Sequence, residues 1–289
     1  MTDCWKSTSI RYLIPESVSI MSTDLHRPAA VAGMFYPGSA SVLSNEVAAM
    51  LAGVDVAEGA PAKALIVPHA GYVYSGPIAA SAYACLAPLR KKIHRVVLLG
   101  PTHRVAVRGL AVSSASAFDT PLGSVPVDMA LRDAVLKLPQ VRCNDDAHAL
   151  EHSLEVQLPF LQSVLDAFTL LPLAVGQAGD AEVAEVLECV WGDAATLIVV
   201  SSDLSHYHPY AEAQQLDGAT ARQILALHEL ANHAQACGAT PINGLLLCAR
   251  RHGLHVHLLD LRNSGDTAGD RSRVVGYAAF AFSEAIPHE

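Results

Sequence analysis

Three histidines follow three of the apolar runs that the sequence predicts as β-strands. In chain order they are His69 after Ala64–Val67, His103 after Arg95–Leu99 and His206 after Thr196–Ser201. The loops at the carboxyl ends of strands in an open α/β sheet converge on one crevice, where ligands bind. For a single histidine a structural role would be the better interpretation, but three in this position favour a site. Because imidazole is the commonest metal ligand and titrates near neutral pH, the predicted chemistry is metal binding with proton transfer.

Cys237 could add a softer ligand to this site. It lies in the segment Ala236–Pro241, just ahead of a predicted helix. The positive end of the helix dipole favours the thiolate, which is the form that binds metals. The alternative is an ordinary buried cysteine, and the spacing leaves both interpretations open. The six cysteines are otherwise scattered, which argues against a disulfide framework.

An acidic segment with two more histidines, Asp145–Glu155, precedes an apolar pattern of helical period. Acidic residues interact favourably with the dipole at the start of a helix, so the segment can be an ordinary helix N-terminus. The adjacent residues Glu151 and His152 can equally orient a metal ligand through a hydrogen bond. The sequence favours neither interpretation.

The elements that must position these residues follow from the alternation of short apolar runs with amphipathic stretches, which is the pattern of βα units. The predicted strands are Ala64–Val67, Arg95–Leu99, Leu110–Ser113, Thr169–Leu173, Thr196–Ser201, His255–Leu261 and Val274–Phe282. The predicted helices are Ala40–Ala52, Pro77–Cys85, Val127–Leu136, His152–Leu165, Ala181–Trp191, Ala211–Leu225 and Pro241–His252. The expected fold is a single α/β domain with a mostly parallel central sheet flanked by helices.

The composition limits the classes of function. The chain has 289 residues, of which 51% are hydrophobic and 16% are charged, and its formal net charge is −9. A phosphate backbone would be repelled by this charge, so we expect no nucleic-acid partner. No segment approaches the roughly 18 uninterrupted apolar residues of a membrane span, and the first residues lack the pattern of a signal peptide. We therefore expect a cytoplasmic protein without a membrane partner.

Residues 1–26 differ from the rest of the chain, because they are polar, weakly periodic and rich in Ser and Thr. We interpret them as a disordered or extraneous tail, and a start at Met21 is as compatible with the sequence as a start at Met1. From Arg27 onward no linker, repeat or low-complexity stretch marks a boundary, so residues 27–289 are predicted to form one domain.

Six ordered motifs resemble those of the Memo family, of the type that occurs as protein B of the AmmeMemoRadiSam system. They are Arg27–Pro37, Pro68–Gly76, Gly100–His103, Glu151–Pro159, Ser201–His206 and Cys237–Gly238. The resemblance covers Arg27 to about Phe282. It implies a fold similar to that of the class III extradiol dioxygenases, which cleave catechol rings with non-haem iron.

The resemblance also implies a role for each candidate residue. The implied metal ligands are His69, His103 and Cys237. The implied catalytic residues are His206, as the acid–base histidine, and Asp203 beside it. The implied pocket residues are Phe35, Tyr74 and His152. Other members can carry Trp at the position of Phe35. The implied partners are a small molecule or peptide in the cleft, a radical-SAM protein and the other companion proteins of the AmmeMemoRadiSam set.

One departure from the dioxygenases limits what the resemblance implies about activity. Extradiol enzymes hold iron with two histidines and a carboxylate, whereas Cys237 supplies a soft thiolate, which favours copper, zinc or thiolate-tolerant iron. We expect one mononuclear metal ion, iron or copper before zinc, in a redox enzyme of unknown substrate. The alternatives are a metal-binding protein without turnover and a module that binds a peptide or partner in the same cleft. Serine hydrolysis through Ser202 or Ser205 ranks lowest, because all its members would share one short loop.

Overall fold

The computed structural model describes residues 25–55 and 61–284. Within these residues there are twelve strands, β1 to β12. In chain order they span His26–Arg27, Ala62–Val67, Arg95–Pro101, Leu110–Val112, Ala117–Thr120, Gly123–Pro126, Val141–Cys143, Thr169–Val175, Thr196–Ser201, His206–His208, His255–Asn263 and Val274–Ser283.

The same residues contain eight α-helices, α1 to α8. They span Ala40–Ala52, Tyr72–Ala84, Met129–Val135, Asp146–Ala149, Leu158–Val164, Asp180–Val190, Tyr210–Leu225 and Ala239–Arg251. Across the described ranges, no helix combines the length and the apolarity that crossing a bilayer requires.

Four neighbouring strands form the parallel centre of the main sheet, in the order β2, β9, β3, β8. Their residues are almost continuously apolar and buried, as strands covered on both faces must be. Antiparallel strands complete the margins: β12 pairs with β2 and β11 with β12 on one side, and β4 pairs with β8 on the other. The predicted α/β domain with a parallel central sheet is confirmed, and its margins make the sheet mixed.

Helices cover both faces of this sheet. Because successive residues of a strand point to opposite faces, each buried strand contributes side chains to two cores. Leu65 and Val67 of β2 belong to a core that includes α1, α2 and α5. Ala64 and Ile66 belong to a second core, which includes α6, α7 and α8. The central strands contribute to both cores and thereby join the two layers of helices into one unit.

The parallel centre brings the candidate residues to one edge of the sheet. His69, His103 and Asp203 are each the second residue after their strands, β2, β3 and β9. Since these three strands are parallel neighbours, their carboxyl ends lie side by side. The chain after β9 then enters the short strand β10, which pairs with β12 and begins with His206.

Two helices begin at least three residues away from their predicted starts. Helix α2 begins at Tyr72 and contains Pro77, which the sequence placed at its start. A tertiary contact decides this, because the Tyr72 N–H donates to the carbonyl of Phe35 at 2.7 Å. The predicted helix His152–Leu165 begins only with a short 3-10 helix at Glu155, so His152 lies in an irregular segment.

The predicted N-terminal boundary at Arg27 falls near the start of the described residues. Residues 1–24 of the predicted tail lie outside the described residues. His26, the last residue of that predicted tail, forms β1 with Arg27 and pairs in parallel with β5. The folded part of the chain therefore begins no later than His26.

Candidate metal centre

Three imidazoles meet at the carboxyl edge of the central strands. His69, His103 and His152 each offer a ring nitrogen, and these donor atoms all lie within 4.8 Å of one another. The ring of His69 stands edge-on to the other two, with centroid separations of 5.2 and 5.4 Å. The rings of His103 and His152 stack at 4.7 Å. A histidine group of this kind, named the histidine group below, can hold one metal ion.

His69 is the most deeply buried member of the histidine group, with 2% of its surface exposed. Its backbone N–H donates to Asp203 Oδ1 at 2.7 Å, and its ring Nδ1 lies 3.0 Å from the Ser201 hydroxyl. Nε2 is therefore the nitrogen left for a ligand, and it lies 3.3 Å from Cys237 Sγ. Burial, aided by the charge of His103, lowers the pKa of His69 to about 3. The ring is thus neutral, the form that binds metals.

Glu151 orients His103. Its carboxylate accepts the backbone N–H of His103 at 2.6 Å and the ring Nδ1–H at 2.9 Å. Burial opposes the ionisation of Glu151, but the hydrogen bonds from His103 outweigh it and lower the pKa of Glu151 to about 2. With Nδ1 engaged, Nε2 of His103 is the nitrogen available to a metal. Of the two interpretations of this segment, the geometry favours the orienting one.

His152 is the member of the histidine group that the sequence assigned only to the pocket. Its ring packs against Phe35, with centroids 4.7 Å apart. Its buried Nδ1 lies 3.3 Å from Glu151 Oε1 without hydrogen-bond geometry and has no other partner among the described residues. Burial, with the charge of His69, lowers the pKa of His152 to about 4. Buried polar atoms are normally hydrogen-bonded, so an unpaired nitrogen beside two oriented imidazoles is a candidate to bind an ion or a ligand.

Cys237 adjoins His69 but is not a member of the histidine group. Its backbone N–H donates to the carbonyl of Asp203 at 3.2 Å, which ties it to the loop after β9. Burial and the Asp203 carboxylate raise the pKa of Cys237 to about 12, which opposes the predicted effect of the helix dipole on the thiol. The start of α8 does not compensate for the lost hydration of a charged sulfur. A metal ion must therefore displace the thiol proton in order to bind Sγ.

The three imidazoles line a cavity of about 600 Å³. The other candidate residues that line it are Phe35, Tyr74, Asp203 and His206. Cys237 instead lines a neighbouring cavity of about 540 Å³, to which His103 also contributes. The structure therefore brings all the candidate residues except Cys237 into one cavity, and it places Cys237 next to that cavity behind the contact with His69.

Asp203 and His206 offer two proton-transfer groups in this cavity. Asp203 is buried, and its Oδ2 lies 4.0 Å from His69 Nε2. Burial raises the pKa of the Asp203 carboxyl, although the hydrogen bond from the His69 backbone acts in the other direction. His206 is half-buried at the start of β10. Both side chains line the cavity and can exchange protons with a molecule bound there.

The serines of the same loop are not arranged as nucleophiles. Ser202 and Ser205 are both buried, and neither belongs to the lining of the cavity. The Ser202 hydroxyl donates to the backbone carbonyl of Asp203 at 2.8 Å and not to an imidazole. This geometry argues against serine hydrolysis, whose nucleophile needs an adjacent base.

Two residues that the sequence did not single out hold His69 in place. The Ser201 hydroxyl donates to the carbonyl of Ser153 at 2.6 Å and is left to accept the Nδ1–H of His69. The amide of Gln157 donates to Ser201 Oγ at 2.8 Å and to the carbonyl of Pro68 at 3.0 Å. Both residues lie inside motifs that the sequence shows, but only the tertiary distances reveal what they contact.

Comparison with known proteins places the chain in a family. A family profile described as "Memo-like protein" matches residues 27–281. The chain belongs to the Memo family. A MEMO1 family protein of Aquifex aeolicus is 39% identical over 272 residues, which cover 89% of this chain and 98% of the relative. A MEMO1 family protein of Metallosphaera sedula is 37% identical, and the match covers 76% of this chain and 82% of the relative. Another from Methanopyrus kandleri is 35% identical, and the match covers 89% of this chain and 99% of the relative.

A solved structure shares the fold of this Memo chain. The crystal structure of an uncharacterized protein, JW3007, from Escherichia coli K12 superposes with a TM-score of 0.50 at 14% identity. The match covers 75% of the Memo chain and 98% of the other chain. At this identity the likeness concerns the fold alone, and the mixed α/β architecture is consistent with the class III extradiol dioxygenase-like fold that the motifs imply.

The donor atoms of the Memo chain have separations that fit a metal ion. A nitrogen and a sulfur bound to one tetrahedral ion at about 2.0 and 2.3 Å lie about 3.5 Å apart. The 3.3 Å between His69 Nε2 and Cys237 Sγ is close to this value. The imidazole donors, all within 4.8 Å, need only small side-chain movements to reach a common ion.

Proposed function

We propose that this Memo protein binds one mononuclear metal ion at the histidine group and works as a redox enzyme on a small molecule. The observation that carries the proposal is the group of three imidazoles within 4.8 Å of one another in the wall of the 600 Å³ cavity. Sites for small molecules usually measure about 300–1,000 Å³. A cavity of this size therefore favours a small molecule over a peptide.

His69 and His103 belong to each ligand set that the proposal allows. We infer that Cys237 is the third ligand, because its sulfur already lies near ligand spacing from His69 Nε2. His152 then stays on the cavity side, where it can contact the substrate or act as a fourth donor. Two imidazoles and a thiolate favour iron or copper, with zinc as the alternative.

A redox-active ion at this point would supply electron transfer and the activation of a bound substrate or of oxygen. The residues of the chain do the rest. Glu151 and Ser201 hold the rings of His103 and His69, so that the orientation of both donors is set before a ligand arrives.

We assign proton transfer in the proposed reaction to His206. It lines the cavity without belonging to the histidine group, so its nitrogens stay available to the substrate. Asp203 provides a second proton-exchanging group and holds the backbone of His69. Phe35 and Tyr74 supply aromatic walls against which a substrate can pack.

Partners and location complete the proposal and rest on the sequence and the family alone. The proposed protein partners are a radical-SAM protein and the other companions of the AmmeMemoRadiSam set. The proposed location is the cytoplasm. A pull-down from the native organism with tagged chain would test the first, and fractionation would test the second.

Metal titration of anaerobically purified protein tests the metal site. The wild type should bind one equivalent of Fe(II), Cu(I) or Zn(II). His69→Ala and His103→Ala should each weaken the binding of all three metals by about tenfold or more, because each removes one side chain that coordinates the metal directly. His255→Ala removes an exposed histidine at the start of β11 and is the matched control, which should bind metal like the wild type.

Cys237→Ser and His152→Ala decide the third ligand. Cys237→Ser should weaken Cu(I) binding more than Fe(II) binding, because a hydroxyl is a poor substitute for a soft thiolate. If His152→Ala abolishes binding and Cys237→Ser does not change it, His152 replaces Cys237 in the ligand set. If every variant binds one equivalent as the wild type does, the metal proposal is wrong, and the cleft is better explained as a site for a peptide or partner.

A further inference from the structure

Arg273 is the only arginine or lysine among the described residues that line the histidine cavity. It is exposed, and within the described part of the chain no carboxylate lies within 4.0 Å of its guanidinium. Its fork of N–H donors therefore has no carboxylate partner among those residues. A guanidinium in this state at a cavity wall is suited to bind an anion, because its planar fork matches a carboxylate.

Tyr207 lies beneath this guanidinium, with the Arg273 carbon 5.1 Å from the ring centroid. The tyrosine is 63% exposed and has a φ of +64°, which is strained for a bulky side chain. The strain arises at a β-bulge, where β10 pairs with Val274 and Val275 and Tyr207 is the extra residue. The bulge turns the ring toward Arg273 and the cavity, and strain of this kind clusters at ligand sites.

Arg271, in the same loop, is a useful comparison because its side chain has partners within the described residues. Its guanidinium stacks over Tyr210 at 4.4 Å, and its Nε donates to the carbonyl of Gly265 at 3.3 Å. Arg271 does not belong to the lining of the cavity. The two arginines therefore have similar aromatic partners, but only Arg273 presents its donors to the cavity.

The other walls of the cavity narrow the class of ligand. Phe35 and Tyr74 provide aromatic surface, which suits a flat molecule. Asp203 and Asp270 also line the cavity, and a hydrogen bond from the Ser272 N–H lowers the pKa of Asp270, which keeps it charged. One cation with a nearby aspartate accommodates a single negative charge better than the double charge of a phosphate group.

We propose that Arg273 and Tyr207 form an anion subsite, and that the substrate of this cavity is a planar monocarboxylate with an aromatic or similarly flat body. The guanidinium pairs with the carboxylate through two parallel hydrogen bonds. The flat body lies against the aromatic walls and extends toward the histidine group. The inference rests on the proposed function for the reaction, whereas recognition of the carboxylate needs no metal.

Binding of benzoate to the full-length chain, measured by ligand-observed NMR in the presence of a chelator, tests the subsite. The wild type should bind benzoate more tightly than the neutral analogue benzamide. Arg273→Gln should weaken benzoate binding by about tenfold and remove the preference over benzamide, because the charge-assisted pair is lost. Arg273→Lys keeps the charge without the fork and should fall between the two. Arg271→Gln is the matched control and should behave as the wild type does.

The variant Tyr207→Gly separates an effect on ligand binding at the subsite from an effect on the stability of the fold. Glycine adopts a φ of +64° without strain, so the melting temperature should not fall, while the loss of the ring should weaken benzoate binding. Benzoate that binds the wild type and Arg273→Gln equally, or that does not bind the wild type at millimolar concentration, would overturn the inference. Metal titration is measured separately. Retained metal binding without Arg273-dependent benzoate binding defeats this inference alone, whereas the reverse result defeats only the proposed function.

Discussion

The buried cluster around Arg27 and Glu155 and the histidine group are neighbours in the fold, but they use their polar atoms differently. Glu155 is fully buried, and both of its carboxylate oxygens are saturated. Oε1 accepts from the Val31 N–H at 3.0 Å and the Tyr36 hydroxyl at 2.5 Å, and Oε2 accepts from the Ala30 N–H at 2.8 Å and from the Arg27 guanidinium. This cluster has no capacity left for a ligand.

The histidine group, by contrast, has ring nitrogens that can still bind a ligand. Glu151 engages one nitrogen of His103 and leaves the other available, and Nδ1 of His152 forms no hydrogen bond among the described residues. A saturated buried cluster stabilises and specifies the fold, whereas a partly used one is costly unless a ligand completes it. The first cluster also supports the second, because Arg27 donates to the carbonyls of His148 and Glu151 at 3.0 and 2.7 Å.

Removing the carboxylate of the saturated cluster should have the largest effect on stability. Glu155→Ala leaves the Arg27 charge buried without its partner, and breaking a buried pair in this way costs about 3–5 kcal/mol in the free energy of unfolding. Urea denaturation measures the loss. Asp166→Ala, which breaks the exposed ion pair with Arg90, is the control and should cost less than about 1 kcal/mol. Equal losses for the two variants would contradict the structural role of the Arg27–Glu155 cluster.

Acid should destabilise the chain through His148, whose backbone carbonyl accepts a hydrogen bond from Arg27. Burial lowers the pKa of His148 to about 4, against about 6.5 in the unfolded chain. The unfolded chain therefore takes up the proton first, so stability is present above pH 6.5 and is lost as the pH falls toward 4. The loss reaches at most about 1.4 kcal/mol per pH unit for one residue.

His69 and His152 have lowered pKa values and add to the same trend, so the difference between two proteins is the measurement. His148→Gln keeps a donor for the carbonyl of Ala111, which lies 3.0 Å from Nε2. Its urea midpoint should depend less on pH between 6.5 and 4 than that of the wild type. Identical pH profiles would show that His148 is not the buried neutral group described above.

Changing the orienting carboxylate of the histidine group should affect metal binding more than stability. Glu151→Gln keeps the shape but loses the charge that holds the ring of His103, and such changes weaken metal binding by about 10–100-fold. Competitive metal titration measures the affinity, and urea denaturation should show a smaller loss than for Glu155→Ala. If Glu151→Gln unfolds the chain but leaves metal affinity unchanged, the distinction between the two clusters is lost.

The smallest effect is expected from His206→Gln. His206 is half-buried and lies outside the histidine group, so stability should stay within about 0.5 kcal/mol of the wild type. One equivalent of metal should still bind, because a proton-transfer residue is not a ligand. Thermal melting and metal titration check both expectations. Loss of the bound metal would make His206 a ligand and would remove the proposed base.

The regular part of the fold could be predicted because its cause is local. The runs of β2, β3 and β9 are apolar on both faces, and this pattern identifies buried parallel strands from the residues alone. Helix limits were less predictable where a distant residue decides them. Helix α2 begins before Pro77 because the carbonyl of Phe35, far away in sequence, accepts the Tyr72 N–H.

The sequence by itself determined the fold class and the place of His69, His103 and Asp203, since residues that follow parallel strands must meet at one edge of the sheet. Only the tertiary structure decided that His152 joins the two imidazoles and that burial raises the pKa of the Cys237 thiol. The physical reason is that donor spacing and desolvation depend on how distant segments pack together. The residues adjacent in sequence determine neither the distance between two loops nor the hydration that each loop loses on folding.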